Sequence, residues 1–235
     1  AGIYFAGNYY LTVTSPDTNR VWLDRNLGAT QVATSRTDSA AYGDLYQWGR
    51  ATNGHEKRNS AVTELCCGSS STLETSITGT SNNFISHSNF NDVDSGVNDW
   101  VSLTVDDNGD LRSAAWADGG ANDICPAGFS VPTNAEIIAD TSEATTTTVT
   151  GGTTAFSSFL KIPSAGYRNM AGGNMASVGD NAHWWSSTPY FYSGGGRRAL
   201  PTRHNAYDFY VGGSNVLHNG DYRTYGKSVR CIKSL

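Results

Sequence analysis

Between Pro189 and Gly226 the chain contains no Lys, Glu, Gln, Met or Trp, and is built mainly from Tyr, Arg, His, Asn, Asp, Gly, Ser and Thr. This stretch follows an ordered opening, Trp184-Trp185-Ser186-Ser187-Thr188, and precedes an ordered ending, Ser228-Val229-Arg230-Cys231-Ile232-Lys233. The frame is structural in character and the filling has the composition of a recognition surface. Tyr and Arg supply large contact areas, while Ser, Gly and Asn adapt their hydrogen bonds, as in antibody loops. A fold that carries such a segment needs a core that does not depend on it, because random changes in a packed core cost about 2–5 kcal/mol each.

At 235 residues the chain suits one domain, 1–235, and can bury roughly 70–75% of its unfolded surface without staples. Its four cysteines therefore do not form a disulfide scaffold. The net charge of −5 and the absence of a long Lys/Arg run remove the electrostatic footprint of a nucleic-acid binder. No apolar run reaches membrane-spanning length, so membrane insertion is not expected. The start, Ala1-Gly2-Ile3-Tyr4, has neither an initiator Met nor a signal region, and reads as a fragment or processed form.

Gly-rich, Pro-poor and aromatic composition favours turns between half-buried strands, and an α+β fold with two helices and a twisted, mostly antiparallel sheet is expected. One helix is placed at Asn134 to Ala139, with Thr133 as cap and Glu136 completing a capping box. The other is placed near Ala40 to Trp48, where Tyr42, Leu45 and Tyr46 recur at helical spacing. Tyr9 to Thr14 and Val21 to Leu23 read as an N-terminal hairpin, and Val101 to Val105 with Leu111 to Trp116 as a second, turning at Asn108-Gly109. Ala206 to Val211 alternates, with Phe209 and Val211 inward and Asp208 and Tyr210 outward. Ser228 to Ile232 is expected to form a closing strand near the N-terminal hairpin. Cys66 to Asn83 and Ser142 to Thr154 read as long surface loops.

Several segments, in order, carry a resemblance: VWLDRNLGA at 21–29, AYGDLYQWGR at 41–50, CPAGFSVPT at 125–133, IPSAGYRN at 162–169, WWSST at 184–188 and GKSVRCIK at 226–233. Together they resemble the bacterial major paralogous domain of the C-type-lectin-like superfamily, related to the formylglycine-generating-enzyme fold. Within it, the chain is most similar to variable proteins of diversity-generating retroelements, of the phage or archaeal virus type. The resemblance implies a C-type-lectin-like fold whose last segment, about 184–227 here, is rewritten at template adenines. Asparagine codons randomised at their first two positions cannot yield Lys, Glu, Gln, Met or Trp, the set missing from 189–226.

On that reading the variable, ligand-binding residues are Tyr190, Tyr192, Arg197, Arg198, Asp208, Tyr210, Gly212, His218, Asn219, Asp221, Tyr222, Thr224 and Tyr225, with Tyr210 and Tyr222 at the centre. Gly194-Gly195-Gly196 gives the first loop its freedom. Arg223 is set apart, because the family pattern places an Arg there as part of the frame. Tyr190, Tyr192, Asp208, Tyr210, Asp221, Tyr222 and Tyr225 are expected to accept Ser with stability changes within about 0.5 kcal/mol, unlike Trp22, Trp48, Trp185 and Phe209.

No cofactor is implied and no catalytic residue is assigned. The formylglycine-generating relatives use two nearby cysteines, and Cys231 has no such neighbour in the C-terminal segment. Cys125 and Cys231 form either one bridge or two buried thiols. The adjacent Cys66 and Cys67 read as unbridged, since vicinal cysteines distort the backbone to bond. His55, His87, His183, His204 and His218 show no metal-ligand spacing. Asp92, Asp94 and Asp99, or Asp106, Asn108 and Asp110, offer oxygens, but the glycine is misplaced for an EF-hand loop and a turn accounts for the second group; no metal is assigned.

The leading expectation is a non-enzymatic binding protein whose hypervariable face meets a protein or glycan ligand on a host or other cell surface. It would then sit on a virion surface or outside the cell. The alternative is a secreted adhesion or glycan-binding module of the paralogous-domain type, without diversification.

Overall fold

All six tryptophans, Trp22, Trp48, Trp100, Trp116, Trp184 and Trp185, lie buried. Each removes roughly 150–250 Å² from water, about 4–6 kcal/mol of transfer free energy, so their positions dictate where the core lies. The computed structural model describes residues 2–65, 73–87, 99–192 and 202–235.

The strands run β1 (Ile3–Phe5), β2 (Asn8–Tyr10), β3 (Thr12–Thr14), β4 (Val21–Leu23), β5 (Tyr46–Gln47), β6 (Val62–Leu65), β7 (Phe84–His87) and β8 (Phe129–Ser130). They continue as β9 (Tyr167–Arg168), β10 (Met175–Ala176), β11 (Ala182–Tyr192), β12 (Thr202–Val211), β13 (Val216–Tyr222), β14 (Gly226–Lys227) and β15 (Ile232–Lys233). The helices are α1 (Leu103–Asp106), α2 (Asp110–Ala115), α3 (Asn134–Asp140) and α4 (Gly152–Ser157). The architecture is mixed, with more strand than helix. Instead of the one sheet expected, the described strands form several small ones, in the orders β1-β2, β3-β4-β15-β8, β10-β9-β14-β5, β6-β7 and β11-β12-β13. Their ladders are antiparallel except β6-β7.

The N- and C-terminal segments meet as expected: Val21–Leu23 pairs with Thr12–Thr14 on one side and, through Trp22 and Ile232, with β15 on the other. The Ser228 to Ile232 segment is only partly a strand. Ser228 bonds the His183 and Trp185 backbone, whereas the Val229 and Cys231 carbonyls accept from Leu27 and Leu23. The chain therefore changes partner along its length. Cys125 and Cys231 are bridged, with Cα atoms 6.0 Å apart, which fixes β15 near the loop that leads into β8.

α3 forms where expected, with Thr133 Oγ1 accepting from Glu136 N–H and the Glu136 carboxylate accepting from Thr133 N–H. The second expected helix does not form. Its residues give a short 3₁₀ turn at Ser39–Ala41 and then β5, because Gly43 at φ +71 breaks the helical path and a Cβ there would meet Leu27 O at 2.3 Å. The expected hairpin at 101–116 is instead α1 and α2. Gly109 does adopt positive φ, at +82, but as the N-cap of α2. The Ser142 to Thr154 loop ends early, at Gly151, where α4 begins. Cys66 and Cys67 lie outside the described residues.

Trp184 and Trp185 are consecutive on β11 and so point to opposite faces. Trp184 joins Trp22, Ile137, Leu160, Phe209 and Val211, while Trp185 joins Trp48, Trp116, Tyr46, Ala206 and the disulfide. The β11-β12-β13 sheet thus enters the molecule as a wall between two apolar clusters.

One buried histidine makes this frame sensitive to acid. His55 Nε2 accepts the Gln47 N–H at 3.1 Å and its Nδ1 lies 2.8 Å from Asn53 Oδ1, so both ring nitrogens are satisfied only in the neutral form. Burial, aided by Arg50 and Arg168, pushes its pKa well below 6.5. An unfolded chain takes up this proton near pH 6.5 and the folded chain refuses it, so stability falls as pH drops through 6.5. Urea midpoints at about pH 7.5 and about pH 5 should show this loss, with a shallower decline in His55→Gln. An equal decline in the variant would remove His55 as the cause.

Candidate functional site

The register of β11-β12-β13 decides which side chains meet. Cross-strand partners share a face, so His183 stands beside Tyr210 and Leu217, and Trp185 beside Asp208 and Asn219. This first face is open at β13, where Leu217 and Asn219 are exposed, and closes over β11. The second face carries Trp184, Phe209, Val211 and His218 at one end, and Tyr190, Tyr207, Gly220 and Tyr222 at the other.

Along the rim of the first face the rings make a continuous arc. Tyr210 contacts His183 at 5.1 Å between centroids, His183 contacts Tyr167 at 4.8 Å, Tyr167 contacts Tyr225 at 5.5 Å, and Tyr225 contacts Tyr222 at 6.5 Å. The four tyrosines are half-buried, which leaves aromatic surface available on a supported base. Tyr210 and Tyr222 stand at the two ends of the arc and do not share one centre. They belong to opposite ends of the β12-β13 ladder, opposite Leu217 and Asn205 respectively.

Within the arc lies a buried charge cluster. Lys227 Nζ is 2.8 Å from Asp208 Oδ2 and also contacts Asp221 Oδ2, while His183 Nδ1 is 3.0 Å from Asp208 Oδ2. The ammonium sits over Trp185, 4.4 Å from its ring centre, and 5.4 Å from that of Tyr225. Burial works against each charge, raising the Asp208 carboxyl and lowering the Lys227 ammonium. Mutual attraction outweighs it, so Asp208 ends below its ordinary value and Lys227 above. Burial, with nearby Asp221, also raises the Tyr225 hydroxyl, which keeps it protonated at neutral pH.

The residues expected to bind are thus divided by the structure. Tyr210, Asn219 and Asp221 line the first face and Tyr225 its rim, while Tyr222, on the second face by register, joins the arc through its ring contact with Tyr225. Asp208 is on that face but points into the charge cluster, only 5% exposed, because Lys227 and His183 reach it from β14 and β11. It is not the outward residue that strand alternation suggested. Tyr190 is on the second face, edge-on to Tyr207 at 4.9 Å and over Gly220, where a Cβ would meet its ring at 2.0 Å. His218 also lies there, stacked on Phe209 at 4.9 Å with Nε2 2.7 Å from Ser142 Oγ, and so anchors β13 to the core. Gly212 is buried in the turn after β12, its carbonyl accepting Gly152 N–H at 2.8 Å. Thr224 is fully buried and its carbonyl accepts from Gln47 Nε2 at 2.7 Å. Arg197, Arg198, Gly194-Gly195-Gly196 and the Tyr192 side chain lie outside the described residues.

Arg223 belongs to the frame. Fully buried, it donates to the carbonyls of Asn205, Asp107 and Asn108 and pairs with Asp99 at 3.4 Å, stacked over Trp48 at 4.8 Å. Asp99 and Asp106 also clamp Arg112, at 2.6 and 2.9 Å, so neither is an open metal ligand. Asn108 and Asp110 bond one another in the turn, while Asp92 and Asp94 lie outside the described residues. Among the described residues no group of three or more His, Cys, Asp or Glu is placed to hold a metal ion. No helix among them is long and apolar enough to cross a membrane.

Tyr167, His183 and Lys227 complete the face, yet none was among the residues expected to bind. Tyr167 lies inside IPSAGYRN, far from the Tyr-rich segment, and only the β9-β14 pairing brings it alongside. At its outer edge β13 also closes its own donors: the Gly220 and Tyr222 N–H groups donate to Asn219 Oδ1 and Asp221 Oδ1, both at 2.9 Å.

No family model, curated protein or solved structure matches this chain.

Face and frame should separate in stability measurements. Asn219→Ser and Leu217→Ser should stay within about 0.5 kcal/mol of the parent. Arg223→Ala should cost about 3–5 kcal/mol, since it strips a partner from buried Asp99, from two carbonyls of the α1-α2 turn and from one of β12. Urea unfolding compares them, and similar losses in both groups would reject the division.

Proposed function

We propose that the protein is a non-enzymatic binding module of C-type-lectin-like type, with the varied segment of a diversity-generating retroelement displayed on the β11-β12-β13 sheet. The observation that carries this reading is the arc from Tyr210 to Tyr222. It exposes aromatic area from the compositionally biased segment, while Phe209 and Val211 in the same strand are held in the core. Side chains at the open face change without removing core contacts, as a surface selected by variation requires. Tyr rings also carry large contact area at low conformational cost. The meeting of the terminal strands β4 and β15 supports the fold part of the reading.

The ligand is a protein or glycan on a host or other cell surface, and the module acts on a virion or outside the cell. An enzyme of the formylglycine-generating type would need a reactive thiol. Cys231, its nearest counterpart, is committed to the bridge with Cys125.

Two measurements test the proposal. The source genome should hold a near-copy of the sequence encoding residues 184–233, beside a reverse transcriptase and differing mainly at adenines; its absence removes the diversification. For a ligand found on a host-surface panel, Tyr210→Ala or Tyr222→Ala should cost about 2 kcal/mol, roughly 30-fold in affinity, with the fold intact. Thr30→Ala, remote from the arc, should leave affinity unchanged, and binding should persist in EDTA. A control that weakens binding equally, or loss of binding on chelation, rejects the site.

A further inference from the structure

A buried amine pressed between two carboxylates holds the reactants of a condensation. Lys227 Nζ is fully buried, 2.8 Å from Asp208 Oδ2 and in contact with Asp221 Oδ2, under the rings of Trp185 and Tyr225. Asp208 is enclosed and oriented by His183, whereas the Asp221 side chain is 33% exposed. We propose that Lys227 and Asp221 join in an intramolecular amide, with Asp208 as the proton carrier.

Asp208 moves one proton from the Lys227 ammonium to the Asp221 carboxylate. The freed Nζ lone pair attacks Asp221 Cγ and forms the C–N bond. Asp208 then takes a second proton from the nitrogen and returns it to the departing hydroxyl, the C–O bond breaks, and water leaves through the exposed side of Asp221. An ammonium and a carboxylate become one amide and one water; Asp208 ends as it began, and no oxidant, reductant or further reactant takes part. The Tyr222 N–H, 2.9 Å from Asp221 Oδ1, stabilises the charge that this oxygen carries in the tetrahedral intermediate.

Held in contact, the two groups react at effective concentrations of roughly 10⁵–10⁸ M, which offsets the usual preference of amides for hydrolysis. The product also removes the Lys227 ammonium, a charge that burial disfavours. It closes a covalent ring around the turn that carries Tyr222 and Tyr225. Because Asp221 lies in the segment proposed to vary, the bond exists only in chains with a carboxylate there. It needs no ligand, so its failure leaves the binding proposal standing.

Mass spectrometry of the intact, reduced protein tests it. The wild-type chain should be lighter than its sequence by one water, trypsin should not cut after Lys227, and fragment spectra should show residues 204–223 joined to 224–230. Lys227→Arg and Asp208→Asn should each return the full sequence mass. If these variants do not fold, the wild-type mass decides alone. A wild-type chain of full mass that is cut at Lys227, or a missing water that maps elsewhere, overturns the amide; a linked Asp208→Asn overturns the role of Asp208.

Discussion

Two adjacent tryptophans set the plan of this molecule. A strand sends successive side chains to opposite faces, so Trp184 and Trp185 bind one strand into two apolar clusters at once. Each ring also carries a buried cation, Arg230 over Trp184 at 5.1 Å and Lys227 over Trp185 at 4.4 Å. The first cation holds the frame, donating to the carbonyls of Leu23 and Leu160 and to Asn26 Oδ1. The second lies beneath the aromatic arc. What happens at the open face therefore rests on the same pair of rings that organises the core.

Most strands here are two to four residues long, too short to satisfy the backbone by ladder bonds alone. Buried arginines supply the missing donors. Arg50 reaches Ser81 and Asn83, Arg168 reaches Lys57, Ser60 and Gly173, and Arg223 gathers carbonyls from the α1-α2 turn and from β12. A planar guanidinium with five donors suits loops that come from distant parts of the chain. Such a frame tolerates long irregular connections, and it carries the open face of the β11-β12-β13 sheet on little regular structure.

Local signals in the sequence were legible where the responsible atoms are neighbours. Thr133 and Glu136 cap α3 because both lie within one turn, and Gly109 takes positive φ because the turn itself requires it. The strands expected beside Gly109 were helices, since short apolar runs such as Val101 to Val105 fit either period. Asp208 shows the limit most clearly: alternation places it correctly opposite Phe209, but its environment is made by Lys227 and His183, which arrive from other strands. The arc was half visible, as Tyr210, Tyr222 and Tyr225. Its middle, Tyr167 and His183, depends on pairings that no local pattern encodes.

The outer edge of β13 has a further consequence. An open strand edge is a template for another chain, and proteins displayed in many copies bring identical edges together. Here Asn219 and Asp221 turn their side-chain oxygens onto the amides of Gly220 and Tyr222, so those two donors are already occupied. A chain lacking a short acceptor at 219 or 221 bares an amide that a neighbouring edge can join. If the segment varies as proposed, freedom of sequence and resistance to fibre formation oppose one another at these two residues, and crowding on a shared surface would weed out sequences that a solitary molecule could carry.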